Sequence, residues 1–109
     1  MKLRLEDNTL RLRLDPPEVA AFHAAGRLET VVPLGLSAAE RLTYTLERDA
    51  AAPVLTVRYA AGCVRVLLPA AVAAAWSADP AAVSLRGQME VSENQFLHIL
   101  VEKDLGCKH

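Results

Sequence analysis

Cys107 and His109 stand two residues apart close to the last residue of the chain, and a thiolate with an imidazole suits a soft or borderline metal ion such as zinc. Stable sites need three or four ligands, so a third would have to come from His23, His98, Cys63 or a carboxylate. A frayed tail accounts for the same pair with fewer assumptions. Cys63 follows Gly62 at the start of an apolar alternation, where a packed or mildly exposed thiol is a simpler reading than a nucleophile. His98 lies between Phe96 and Leu100 in alternate positions, which makes it a candidate interior acid or base. A hydrogen-bonded core histidine is the expectation there. His23 follows Phe22 and fits a helix boundary.

Arg4, Arg11, Arg13, Arg58 and Arg65 share the outward parity of two alternating stretches. Were those stretches neighbours, the guanidinium forks would line up as a positive stripe able to grip phosphate or carboxylate. A solvated face balanced by Glu6, Glu18 and Glu47 explains the same residues. Aromatics interleaved with the arginines, as single-stranded nucleic acid requires, are missing. No Ser/His/Asp set, glycine-rich phosphate loop or diagnostic acidic pair is visible, so no enzyme is expected.

These residues need elements to hold them. Lys2 to Glu6 and Leu10 to Leu14 alternate around Asp7 and Asn8, the pattern of a β-hairpin with one leucine face and one charged face. Asp15 then stands at an N-cap position, Pro16 at the first helical position and Glu18 in the first turn. Val19, Phe22 and His23 follow at helical spacing, and Gly26 offers a left-handed stop. A strand is expected from Leu28 to Leu34, a turn or loop from Ser37 to Glu40, and a half-buried strand through Leu42, Tyr44 and Leu46. After the linker Asp49 to Pro53 the order begins again: a hairpin through Val57 and Val66, a helix opened by Pro69 and reaching Trp76, and a short strand from Val83 to Arg86. A polar loop from Glu90 to Gln95 and a strand from Phe96 to Lys103 complete it. Both faces of that last strand are apolar, so it should be central or covered.

At an offset of 54, Leu10 meets Val64, Arg4 meets Arg58, Arg11 meets Arg65, Phe22 meets Trp76, and Leu42, Tyr44 and Leu46 meet Phe96, His98 and Leu100. Such a period marks duplicated supersecondary units, here residues 1–50 and 55–104. The expected fold is α+β, mainly antiparallel β, with two pseudo-symmetric ββαββ halves forming a barrel-like or two-sheet core beside two short helices. Neither half can cover its own apolar strand face, so the two must pack together. A closed or nearly closed barrel, or two sheets face to face, would satisfy that, and the strand, proline-started helix and strand of each half also resemble the half-units of cradle-loop barrels.

With 109 residues, 52% of them hydrophobic and 23% charged, the chain fits a single globular domain. Twelve Lys and Arg against thirteen Asp and Glu build in no general attraction to nucleic acid or to an anionic membrane. Charges interrupt the first five residues, so neither a signal-peptide core nor a spanning segment is expected there. The cytoplasm, with both thiols reduced, is the expected compartment.

Lys2, Leu3, Arg4 with Asn8 to Leu14, and Leu100, Val101, Glu102, Lys103, Asp104 followed by Cys107, resemble a family of small bacterial proteins of unknown function. Its ending reads valine, glutamate, lysine, aspartate, phenylalanine, any residue, cysteine; here Leu105 replaces the phenylalanine. The resemblance implies a stand-alone bacterial protein and gives weight to Cys107 as a structural or metal-binding residue. The function expected from the residues is a non-catalytic binding or protein-interaction module with a protein partner or a second copy of itself. A metal or thiol protein using Cys107 and His109, and a small-anion or nucleic-acid binder using the arginines, are its rivals.

Overall fold

A leucine at every second position commits Leu10, Leu12 and Leu14 to one face of a strand, and in the computed structural model, which describes residues 1–105, all three are buried. They belong to β2 (Thr9–Leu14), paired antiparallel with β1 (Lys2–Glu6). The helix α1 (Pro16–Ala25) begins where the cap residues require it. Asp15 accepts a hydrogen bond from the Glu18 amide at 2.9 Å, and the Glu18 carboxylate accepts one from the Asp15 amide at 2.9 Å, a reciprocal capping box. Gly26 ends the helix at φ 74°, with its N–H donated to the Phe22 carbonyl at 2.7 Å.

β3 (Arg27–Pro33) and β4 (Arg41–Asp49) form the next hairpin, followed by β5 (Thr56–Ala60) and β6 (Cys63–Pro69). The β5–β6 turn places Ala61 and Gly62 at φ 51° and 75°, the left-handed pair that a two-residue hairpin loop of matching twist demands. α2 (Ala70–Ala78) starts directly after Pro69 with no side-chain cap, and β7 (Ser84–Ser92) and β8 (Gln95–Lys103) close the order.

Two mixed four-stranded sheets result, ordered β1-β2-β8-β7 and β3-β4-β6-β5. In each, two antiparallel hairpins join through a parallel central pair, β2 with β8 and β4 with β6. The pairing is mainly antiparallel, as expected, with a parallel pair at the middle of each sheet that the sequence did not announce. The barrel alternative falls: β1 and β7 remain edges of one sheet, β3 and β5 of the other, and neither sheet closes. The α+β class and the two-sheet alternative stand.

Buried side chains of β2, β4, β6 and β8 form one cluster with Val19 and Phe22 of α1 and Ala73 and Trp76 of α2. Phe22 and Trp76 meet edge to face with ring centroids 6.2 Å apart, and the Trp76 indole N–H donates to the Val83 carbonyl at 3.1 Å, so neither ring costs an unpaired polar atom. The Lys103 ammonium sits 5.2 Å from the Trp76 ring centre.

β7 is nine residues long, not the short strand expected, and it takes in Glu90 to Ser92 of the expected polar loop, which shrinks to a turn before β8 begins at Gln95. Its far end is a hairpin arm exposed on both sides, with a bulge between Glu90 and Ser92 and a turn at Asn94, φ 60°. At Gly87 the missing side chain lets Leu55 approach; a Cβ there would stand 3.2 Å from Leu55. β8 is an internal strand, and Ile99 and Val101 face the core. His98 consequently points outward and is exposed, which corrects the expectation of a core histidine. Among the described residues no helix is long and apolar enough to cross a membrane.

Candidate anion-binding site

Because the leucines of β2 and the Ile99 and Val101 side chains of β8 turn inward, the alternate residues of the first sheet share its outer face. Register then sets them in rows: Lys2, Arg13, Glu102 and Ser84; next Arg4, Arg11, Leu100 and Arg86; next Glu6, Thr9, His98 and Gln88. Five cations thus face two carboxylates in these rows, and Glu90, opposite Phe96 in the next row, adds a third carboxylate to the same face. The second sheet gives Arg27, Glu47, Leu67 and Thr56; Glu29, Thr45, Arg65 and Arg58; Val31, Thr43, Cys63 and Ala60. There three cations face two carboxylates in these rows, and Arg41, opposite Pro33, and Asp49, opposite Pro69, add one of each at the ends of β4.

The five arginines singled out in the sequence are divided by this arrangement. Arg4, Arg11 and Arg13 lie on the first sheet, Arg58 and Arg65 on the second, so no single stripe forms. The two hairpins are not neighbours because each joins a strand from the opposite half of the chain. Within the first sheet, Lys2, Arg4, Arg11 and Arg13 still line one small concavity of about 100 Å³.

Several of these cations are engaged. Glu102 Oε1 accepts from Arg11 Nε at 2.8 Å and from Arg13 Nη2 at 2.8 Å and Nε at 3.2 Å. These bonds, Arg13's foremost, hold the Glu102 carboxyl below the usual carboxylate range. On the second sheet Arg65 forks onto Glu47, Nη2 to Oε1 at 2.9 Å and Nε to Oε2 at 3.0 Å, while Thr45 donates to Oε2 at 2.7 Å. The Arg65 fork, with Thr45 and the nearby Arg27, pulls the Glu47 carboxyl down to about 2 against the burial that opposes it. Arg4 reaches Glu6 at 3.1 Å on the exposed rim. Arg58 has no hydrogen-bond or ion-pair partner among the described residues.

A wider depression of about 470 Å³ opens further across the first sheet, lined by Thr9, Arg86, Gln88, His98 and Leu100 with the backbone of Gly87 and Ile99. The side chains of Thr9, Arg86, Gln88 and His98 have no hydrogen-bond or ion-pair partner among the described residues. Reading the sequence singled out His98 alone of these. Arg86 and Gln88 alternate with Leu85, Gly87 and Met89, and that alternation was the available signal.

Cys107 and His109 lie outside the described residues. The third ligands considered for them are dispersed: His23 at the end of α1 bonds Ser77 Oγ at 2.8 Å, His98 is on one sheet and Cys63 on the other. Among the described residues no three His, Cys, Asp or Glu side chains gather closely enough to hold a metal ion.

No curated protein and no solved structure matches the chain. A family model, by contrast, matches residues 1–109 from end to end, in keeping with the resemblance carried by the two ends of the sequence. The chain belongs to that family, described as a family of unknown function (DUF7009).

Proposed function

We propose that this protein is a non-catalytic binding module that presents the outer face of the β1-β2-β8-β7 sheet to an acidic segment of a partner protein. The observation that carries this reading is the row pattern of that face, with Lys2, Arg4, Arg11, Arg13 and Arg86 set against Glu6, Glu90 and Glu102. Charge complementarity of that kind steers encounter and sets orientation. An acidic polypeptide fits better than a nucleic acid. Glu6 and Glu102 interrupt the path a continuous phosphate backbone would follow, and among the described residues Phe96 is the one Phe, Tyr or Trp paired beside the rows.

A duplicated ββαββ unit is the architecture we infer beneath it. Both halves run strand, strand, helix, strand, strand, and β1–β2 and β5–β6 share one register at an offset of 54. Phe22 packs on Trp76 and His23 bonds Ser77, each pair 54 apart, as expected where a pseudo-twofold axis passes between the helices. Arg4, Arg11 and Glu102 correspond to Arg58, Arg65 and Glu47 once β8 is offset from β4 by one residue more. Tyr44 then matches Ile99, not His98. Against this shared triad, Lys2, Arg13, Arg86 and His98 occupy places filled by Thr56, Leu67, Glu29 and Thr43 on the second sheet, which supports the first sheet as the specialised face.

Poly-glutamate binding measured across a salt series tests the proposal. Binding should weaken with salt and on Lys2→Ala with Arg4→Ala, two exposed positions, and be unaffected by Arg58→Ala. Equal loss on Arg58→Ala, indifference to Lys2 and Arg4, or tighter binding of a single-stranded oligonucleotide of equal charge would overturn it.

A further inference from the structure

We propose that the depression bordered by Thr9, Arg86, Gln88 and His98 is a site for a phosphate monoester, a ligand assignment that rests on the first sheet's outer face being the binding surface. Register brings the four together from three strands: Thr9 and Gln88 flank His98 on either side, and Arg86 is one row away across Leu100. With strands about 4.8 Å apart, Thr9 and Gln88 stand roughly 10 Å from one another at the backbone with the His98 side chain rising between them, so a tetrahedral group would sit over His98 within reach of both.

The chemistry of the lining selects the ligand. Arg86 offers a planar fork of N–H donors, Gln88 an amide NH₂, Thr9 a hydroxyl and His98 a ring N–H. No carboxylate lines the depression, in contrast to Arg11 and Arg13, which share Glu102. None of the four side chains is engaged among the described residues, so a ligand need displace no ion pair to reach them. Donors set around one depression from three strands can reach oxygens distributed around a tetrahedral phosphorus, whereas a carboxylate accepts in one plane. Leu100 gives the depression an apolar floor for the carbon side of an ester.

Amide and side-chain NMR titrations with inorganic phosphate, phenyl phosphate, a phosphoserine peptide and a dicarboxylate of equal charge test the assignment. Saturable shifts are expected at Thr9, Arg86, Gln88 and His98 for the phosphate probes, weaker for the dicarboxylate. Arg86→Ala, at an exposed position on an edge strand, should weaken them at least about tenfold, the loss expected for a charge-assisted pair of bonds. Arg58→Ala should leave them within about twofold. A phosphopeptide tighter than inorganic phosphate supports a modified partner residue as the source, and equal binding supports a free phosphate ester; both uphold the site. Equal response to the dicarboxylate, or no response to phosphate while poly-glutamate still binds through Lys2 and Arg4, overturns the site and spares the binding face. Loss of both responses overturns the face as well.

Discussion

Replacing Glu47 by Gln removes a negative charge from the underside of the Arg65 fork. Its side chain is only 13% exposed, and it accepts three hydrogen bonds, two from Arg65 and one from Thr45. The carboxyl titrates at about 2 in the folded protein against an ordinary 4.5. At about 1.4 kcal/mol per tenfold change in proton affinity that gap would amount to roughly 3 kcal/mol. Arg65 is 45% exposed, and water screens its charge, so we expect about 1 to 1.5 kcal/mol for Glu47→Gln at neutral pH. A group whose pKa is lowered by folding contributes its full stabilisation above its unfolded value and loses it as pH falls through its folded value. The cost of Glu47→Gln should therefore be complete above about pH 4.5 and nearly gone by pH 2. Urea unfolding followed by the fluorescence of Trp76, the sole tryptophan and fully buried, reads this directly. At neutral pH the variant's melting temperature should drop by roughly 5 °C. An equal cost at pH 2 and pH 7, or additive effects of Glu47→Gln and Arg65→Ala in a double-mutant cycle, would refute the reasoning.

Other substitutions test the framework around it. Trp76→Ala and Phe22→Ala should each cost about 3 to 5 kcal/mol in chemical unfolding, with a coupling of about 1 kcal/mol from the edge-to-face pair in a double-mutant cycle. Asp15→Ala breaks the capping box and should cost about 1 kcal/mol, most of it restored by Asp15→Ser; thermal melts decide. Gly26→Ala should cost about 1 to 2 kcal/mol in the same melts, since an alanine at φ 74° is strained and its Cβ would stand 2.7 Å from the Arg48 guanidinium.

Much of the fold was readable from single residues. Asp15, Pro16, Glu18 and Gly26 mark both ends of α1 because capping is local chemistry, and the leucines of β2 declare their inward face by simple alternation. What escaped depends on contacts between distant segments. Phe96, His98 and Leu100 look nearly as suited to burial as Leu97, Ile99 and Val101, so the pattern of β8 does not say which set turns inward, and it suggests a core place for His98 that the structure gives to Ile99. A shift of one residue along such a strand inverts every side chain, and only pairing with β2 and β7 sets which face is buried. The parallel pairing of β2 with β8 joins segments from opposite ends of the chain, and no local signal announces it. That pairing is what splits the arginines between two sheets and gathers Thr9, His98, Gln88 and Arg86 on one of them.

The identity of the binding face is tested most directly by an amide NMR titration with poly-glutamate at low salt. Shifts confined to Lys2, Arg4, Arg11, Arg13, Arg86 and their neighbours on β1, β2, β8 and β7 are the predicted result. Shifts centred on Arg27, Arg58 and Arg65 of the other sheet, or none on either, would contradict it.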